Sequence, residues 1–374
     1  MISQSVKELL FLPDYYTDEY NATPMKNYWP FLEKIVNVFD PTSVCEVGSE
    51  RGLTSQLLVE KFKGIEKIYI VDPSISDVLK QNKTEYTSLH EETSLEFLAR
   101  GLDIDLYFLD GDHNYYTVLN ELRLIEKNRK DASKKMILLH DVSWFCGRRD
   151  QYYNPDLIPE KLEYYDSGAI CLESASNVKY GFRLDKHFAV AKKYGGEHNG
   201  VLTAIEDFIE QSSLPWKFKY IPSLWGLGFL WLEEGLDAQQ NLDIAKIIDT
   251  LDDLKEFFGI LEANRLRLLQ GLNEWQGAAD EKEKEIERLS CERDELYAIA
   301  EARLSERNEL YDIAEKRLAE LQRLGEERNS LYEVAEMRLK ELNKLLHIIK
   351  ARENELQTIK NNVFYKILKK LKLV

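Results

Sequence analysis

Two short segments concentrate side chains that could do chemistry. The first is Asp110-Gly111-Asp112-His113, which follows the apolar run Leu106–Leu109. The second is His140–Asp141, which follows Met136–Leu139. Acids and a histidine just beyond a strand's carboxyl end sit where open α/β sheets bind their ligands. If the two runs are neighbouring strands, they present Asp110 and Asp141 side by side. Two converging carboxylates require a cation or a shared proton. Oxygen ligands of this kind suit Mg²⁺ or Mn²⁺ rather than zinc.

These segments must be held by a sheet, and the chain supplies its strands. Ser43–Val47, Lys67–Val71, Leu106–Leu109 and Met136–Leu139 read as short apolar strands, with helical stretches at Thr54–Phe62 and Tyr116–Asn128 between them. Such alternation predicts an α/β fold with a mostly parallel sheet and helices on both faces. Residues 1–40 form a leader whose helix WPFLEKIVNVF stops at Asp40–Pro41. Residues 143–200 form a less regular insertion, rich in Tyr, Asp and Gly, of the kind that covers a substrate. Val201–Gln211 reads as a helix, and Phe218–Ile221 and Gly226–Leu232 as closing strands. Arg148 and Arg149, in the insertion, are taken as solvated loop arginines and not as site residues.

The first strand runs into SVCEVGSERGLTSQLLVE, with Glu46, Gly48 and Gly52 around the turn and Thr54 opening the helix. Glycines let a backbone approach a ligand, and a helix N-terminus favours an anion. The loop resembles motif I of class I S-adenosylmethionine (SAM) methyltransferases, with Glu50 where the family carries its middle glycine. The second strand ends in IYIVDP, which places Asp72 where an acid grips ribose hydroxyls. NAD-binding folds share that acid but carry GxGxxG, which is absent here. The segment LHEETSLEFL resembles the part of the family that lines adenine, pointing to Glu92 and Ser94. The alternative for those two is a plain helix start capped by Thr93 or Ser94.

Together, residues 40–232 resemble the bacterial metal-dependent sugar and small-molecule O-methyltransferases, including macrolide-sugar and rhamnosyl enzymes. The later stretches HNGVLTAIEDFIE and GLGFLW belong to the same likeness. The resemblance implies a seven-stranded Rossmann-like SAM methyltransferase fold, with SAM and Mg²⁺ (or Mn²⁺) as cofactors. It implies Asp110 and Asp141 as metal ligands, Asp110 also beside the cofactor, and His113 as the general base. His140 stands where the family has a second acid. It could ligate the metal, orient Asp141, or do neither, and it is carried as a metal candidate. The implied acceptor is a glycan or sugar hydroxyl. Three other readings remain open: a scaffold or length ruler that has lost activity, an NAD-dependent oxidoreductase, and N-methylation of an amino sugar.

The chain has 374 residues and a formal net charge of −16, which argues against a general nucleic-acid partner. Four scattered cysteines without a CxxC pair suggest neither zinc nor disulfides and fit a reducing cytosol. No window is long and apolar enough for a membrane span. Residues 236–275 read as a helical connector and 276–358 as a coiled coil. RDELYAIAEARL, RNELYDIAEKRL and RNSLYEVAEMRL recur from Arg293, Arg307 and Arg328, at offsets of fourteen and twenty-one residues, both whole heptads. One seam runs through Tyr297, Leu304, Tyr311, Leu318, Gly325, Tyr332, Leu339 and Leu346. A second runs through Ala300, Arg307, Ala314, Leu321, Arg328, Ala335, Leu342, Ile349 and Leu356, with Leu296, Leu310, Leu324, Leu331 and Leu345 flanking it. Run out as one helix, about 90 residues would reach about 135 Å and would leave the stripe in water. Self-association as a dimer or trimer is therefore expected.

Residues 359–374 place Val363, Phe364, Ile367, Leu368 and Leu371 on one face, with Lys366, Lys369, Lys370 and Lys372 around much of the rest. That composition suits a helix lying on an anionic membrane, with the alternative of a frayed coiled-coil end. Similar ends occur on methyltransferases that cap O-antigen chains. This architecture implies a place on the inner face of the cytoplasmic membrane, near a polysaccharide polymerase.

Overall fold

The computed structural model describes residues 4–12, 25–62, 64–172, 174–184, 189–320 and 325–370. The described residues divide into two compact units, Met1–Gln270 and Gly271–Val374.

In the first unit a short helix α1 (Gln4–Leu9) and α2 (Trp29–Phe39) precede β1 (Ser43–Val47). Then come α3 (Leu53–Lys61), β2 (Lys67–Val71), α4 (Asp77–Gln81), β3 (Thr87–His90), α5 (Ser94–Leu98), β4 (Leu106–Leu109), α6 (Tyr115–Asn128) and β5 (Met136–His140). The insertion contributes the short strands β6 (Gln151–Tyr152), β7 (Tyr164–Tyr165), β8 (Gly168–Cys171), β9 (Ser174–Val178), β10 (Phe182–Leu184) and β11 (Ala189–Ala191). The unit closes with α7 (Val201–Gln211), β12 (Lys217–Ile221), β13 (Leu227–Trp231), α8 (Ala238–Asp253) and the start of α9 (Lys255–Glu320). The main sheet has seven strands in the order β12-β13-β5-β4-β1-β2-β3, parallel except at β13, which runs antiparallel to both β5 and β12. This is the mostly parallel, Rossmann-like α/β architecture expected from the alternation of strands and helices, with the seven strands that the family resemblance implied. The strand the sequence pattern passed over is β3, TSLH, whose side chains alternate too weakly to stand out.

Every residue of β4, β5 and β13 is buried, which is why those strands read as unbroken apolar runs. On one face Leu119, Leu122 and Ile125 of α6 pack with Ile205 and Phe208 of α7. On the other, Leu32, Ile35, Val36 and Phe39 of α2 follow the i, i+3, i+4, i+7 spacing of an amphipathic helix. Ile244, Ile248 and Leu251 of α8 join that same core. The stretch expected as a connector thus begins as a packed layer of the sheet unit.

Register decides what meets at the sheet's edge. Val47 of β1 pairs with Leu109 of β4, and Leu109 pairs with Leu139 of β5. The next residues, Gly48, Asp110 and His140, therefore emerge together. Because β13 is antiparallel, with Leu227 opposite His140, the turn before β13 is brought to the same edge.

The insertion folds into two three-stranded sheets, β6-β11-β7 and β10-β8-β9. Asp150 fastens it to the site: its carboxylate accepts hydrogen bonds from the Tyr115 and Gly200 amides, each at 2.7 Å, and from the Tyr152 hydroxyl at 2.8 Å.

In the second unit, α9 and α10 (Gly325–Lys370) run antiparallel. Arg303 pairs with Glu341 at 3.2 Å, Arg338 with Glu306 at 3.1 Å, and the Tyr297 hydroxyl meets Glu353 at 3.1 Å. The helical region is thus two helices and not one continuous rod. Ala300, Ala335, Leu342 and Ile349 of the second seam are buried between them, and the flanking Leu296, Leu310, Leu331 and Leu345 are half-buried. The first seam is more exposed, with Tyr332 57% exposed and Leu339 and Leu346 each 37%, while Leu304 and Tyr311 are half-buried. Tyrosine hydroxyls make that row the cheaper one to leave wet. Leu321, Leu324 and the end of the tail, Leu371 and Lys372, lie outside the described residues. Among the described residues, no helix is long and apolar enough to cross a membrane.

Candidate functional site

The β1–α3 loop is shaped by three residues with positive φ: Gly48 at 83°, Glu50 at 44° and Gly52 at 80°. A Cβ at Gly48 would lie 2.0 Å from the Asp110 carbonyl oxygen, so only glycine lets this loop close against the end of β4. Glu50 adopts the left-handed conformation that a glycine would hold more easily. The Asp72 carboxylate, at the end of β2, accepts from the amides of Ser49 at 2.8 Å and Glu50 at 3.0 Å, and from Ser74 at 2.8 Å. It staples the loop in place. Glu46 is buried below the loop, where the Ser55 hydroxyl donates to it. Burial raises its pKa to about 8; the Ser55 bond opposes that rise, and Asp110 and Asp72 add to it. Thr54, the second residue of α3, is half-buried.

Glu92 and Ser94 flank the start of α5. The cap is Thr93, whose hydroxyl accepts from the Glu96 amide while the Glu96 carboxylate accepts from the Thr93 amide. Glu92 is paired with Arg100 at 2.7 Å and with His90 at 3.3 Å. Ser94 is buried beside Glu121 of α6.

Beyond β4 and β5, four side chains converge. Asp110 Oδ1 lies 2.9 Å from His140 Nδ1 and 4.0 Å from His113 Nε2. Asp141 Oδ2 lies 3.3 Å from His113 Nδ1 and 3.4 Å from His140 Nδ1. Burial pushes the His140 pKa down, but Asp110 and Asp141 outweigh it and hold the ring well above an ordinary histidine. Burial pushes Asp141 up, and the facing His113 and His140 reverse that shift and keep it low. Ligand atoms of Asp110, His140 and Asp141 all lie within 4.8 Å of one another. Mixed carboxylate and imidazole donors at that spacing fit a divalent cation. Asp110 thus meets the β1–α3 loop at Gly48 and the cation candidates through its carboxylate.

Several residues at the site carry no motif. Tyr153, from the insertion, sets its ring 6.1 Å from that of His113, and its amide donates to Asp112 at 3.2 Å. Asp112 is pushed upward by burial. A small cavity behind the cluster is lined by Asp112, His113, Glu121 and His140, among others. Glu121 is 2% exposed, and burial takes its pKa to about 8. Trp225 stacks on Trp144 with ring centroids 5.8 Å apart and meets Phe182 at 5.6 Å. Arg148 instead pairs with Glu206 at 2.6 Å, and Arg149 is buried with its Nε donating to the Ala191 carbonyl at 2.6 Å. Sequence could not place Tyr153, Glu121 or Trp225, because each reaches the site through long-range packing.

Comparison with known proteins finds likeness within the first unit. Residues 45–142 match the profile of a family described as a methyltransferase domain. That stretch contains every site candidate named from sequence. Solved structures with which the chain aligns include a methyltransferase from Geobacter sulfurreducens, at 12% identity and TM-score 0.36, covering 63% of this chain and 98% of that one. An O-methyltransferase from Bacillus cereus in complex with SAH aligns at 11% identity and TM-score 0.33, over 61% and 88%. The O-methyltransferase TomG from Streptomyces achromogenes, involved in tomaymycin synthesis and in complex with SAM, aligns at 10% identity and TM-score 0.33, over 61% and 86%. No protein of curated function matches the chain.

Proposed function

We propose that the first unit is a SAM-dependent O-methyltransferase, assisted by a divalent cation, that acts on a sugar hydroxyl of a bacterial surface polysaccharide. The observation that carries this reading is the convergence of Asp110, His113, His140 and Asp141 at the edge where the β1 glycine loop also ends. SAM would be held by the Gly48–Gly52 loop, with Glu46, Thr54, Asp72, Glu92 and Ser94 around it. It supplies a methyl group on a sulfonium, which leaves as a neutral thioether. Mg²⁺ or Mn²⁺ would be held by Asp110, Asp141 and His140 Nδ1, and a cation there makes a bound hydroxyl more acidic.

His113 removes the acceptor proton. Its Nδ1 faces Asp141 at 3.3 Å, and an Nδ1–H donated as a hydrogen bond to that carboxylate leaves Nε2 as the basic nitrogen. Asp141 thus sets the ring's orientation and stabilises the charge it gains. The proton ends on His113, and the hydroxyl oxygen takes the methyl group. The Trp144–Trp225–Phe182 cluster gives the neighbourhood an apolar wall against which a sugar face can rest.

The exposed seam of the hairpin supports self-association with further copies as dimer or trimer, and the basic tail would hold the assembly at an anionic membrane, near a polysaccharide polymerase. Methylation there would end chain growth. The test is calorimetric titration of SAM into the full chain, with Mg²⁺ and then with EDTA, and NADH as the control titrant. SAM binding, followed by mass-spectrometric detection of methylated glycans, is the expected result. A folded chain that binds no SAM in either condition would move the reading to an inactive scaffold, and binding of NADH instead to an oxidoreductase. Co-sedimentation with phosphatidylserine vesicles tests the tail.

A further inference from the structure

The turn Ser223–Gly226, which leads into β13, is gripped from two sides. On the side of the site, the Leu224 carbonyl lies 2.9 Å from His140 Nε2. On the other side, α9 reaches it with Glu262, only 4% exposed. The Glu262 carboxylate accepts from the Leu224 amide and the Trp225 amide, each at 2.9 Å. Arg265, one turn further along α9, pairs with both Glu262 oxygens, at 2.8 and 2.6 Å, and lies 4.8 Å from the Trp225 ring centre. Tyr28 adds a third contact, its hydroxyl donating to the Ser223 carbonyl and, at 3.2 Å, to the Leu224 carbonyl.

The turn needs this grip. Leu224 and Trp225 have φ of 48° and 70°, two successive non-glycine residues in the left-handed region. Side chains resist that conformation, and it persists only where the surroundings impose it. Consecutive amides of such a turn point the same way, and Glu262 accepts from both. A buried carboxylate without those donors would be costly, so turn and acid stabilise each other.

The consequence reaches the site through one atom. A carbonyl oxygen can only accept, so the bond to Leu224 O requires a proton on His140 Nε2. The ring nitrogen that faces Asp110 and Asp141 is then Nδ1, the one left to serve as a ligand. Partners behind a ligating histidine commonly fix its orientation in this way.

We propose that Glu262 is a positioning residue of the site: it holds the Ser223–Gly226 turn so that the Leu224 carbonyl fixes the His140 ring with Nδ1 toward Asp110 and Asp141. The proposal rests on the reading of Asp110, His140 and Asp141 as cation ligands for its functional value, but its structural content can be read without metal. The test uses the full chain labelled with ¹⁵N-histidine, with the His140 signals assigned by their loss in His140→Ala. In the metal-free wild type, Nε2 carries a slowly exchanging proton. In Glu262→Ala that proton exchanges fast and the ring shifts move, while circular dichroism and SAM affinity stay within about twofold of wild type. Glu262→Gln, which can still accept one of the two amides, falls between and serves if the alanine variant does not fold.

Mn²⁺ titration followed by electron paramagnetic resonance is the second readout. Affinity is expected to fall about 10- to 100-fold in Glu262→Ala, with no further loss when His140→Ala is added. Unchanged His140 signals in a folded Glu262→Ala would overturn the proposal, as would losses of Mn²⁺ affinity that add in the double variant. Moved His140 signals with Mn²⁺ affinity unaltered would uphold the positioning and sink the metal reading alone.

Discussion

The two units treat charge in opposite ways. In the unit ending at Gln270, Glu46, Glu121, His140, Lys135 and Glu262 are all buried. In the helices beyond it, the ion pairs Arg288–Glu285, Arg303–Glu341 and Arg338–Glu306 lie in solvent. Burying an ionisable group costs free energy unless it is fully partnered. A fold that needed only to be stable would place charges as the hairpin does. Of these groups, His140 ends β5 and Glu121 lines the cavity behind it, where shifted pKa values are useful, whereas Lys135 lies at the opposite end of β5, paired with Asp103 at 2.6 Å. The contrast sets the unit that carries the candidate site apart from the helical hairpin.

The strongest way to break this comparison is His113→Ala. If the buried cluster is catalytic, turnover should fall by about 10²- to 10⁴-fold, with SAM affinity nearly unchanged by calorimetry. An equal loss of SAM binding would make His113 structural. No change in the hairpin is expected.

The next test addresses the cost itself. Burial raises the Glu121 pKa from 4.5 to about 8, so the folded state keeps a proton that the unfolded chain has released. Its stabilising share is complete below about pH 4.5 and fades as pH rises toward 8. Glu121→Gln keeps the shape and removes the titration. Urea unfolding at pH 5.5 and pH 8 should show the variant gaining on wild type as pH rises, by an amount on the order of a few kcal/mol at pH 8. A constant difference between variant and wild type at both pH values would mean that Glu121 ionises freely in the fold.

How much of this could be read from sequence differs between the units for the same physical reason. β1, β2, β4 and β5 announce themselves as apolar runs, and register then carries Gly48, Asp110 and His140 to one edge. A motif reading could therefore name the cluster. Glu262 escaped because it lies 38 residues from Leu224 and acts on backbone amides, which leave no mark in a side-chain pattern. The hairpin was half legible. The heptads gave the helices and their seams, but a periodic stripe is satisfied equally by another chain or by the same chain folded back. The period alone does not say which of the seams is buried.

Within the hairpin, Leu342→Ala should cost about 2 kcal/mol, the lower end for a deleted core leucine, because a two-helix seam can partly collapse on the gap. Leu342 is 4% exposed. Hydrogen exchange should quicken along α9 beyond residue 290 and along α10, while the amides of β4 and β5 keep their protection. Faster exchange in both units would show that they do not unfold independently.

The smallest expected effect is the sharpest test of the contrast. Arg303 and Glu341 bridge α9 and α10 at 3.2 Å with side chains 45% and 58% exposed. Solvent screens such a pair, and holding two long side chains together costs entropy, so Arg303→Ala should change stability by at most about 1 kcal/mol. Any loss should shrink further in 0.5 M salt, because the Debye length then falls to a few ångströms. The exchanged pair, Arg303→Glu with Glu341→Arg, should restore the wild-type midpoint. A loss well above that bound, insensitive to salt, would place this pair in a buried interface, with another chain covering the face that the hairpin leaves open.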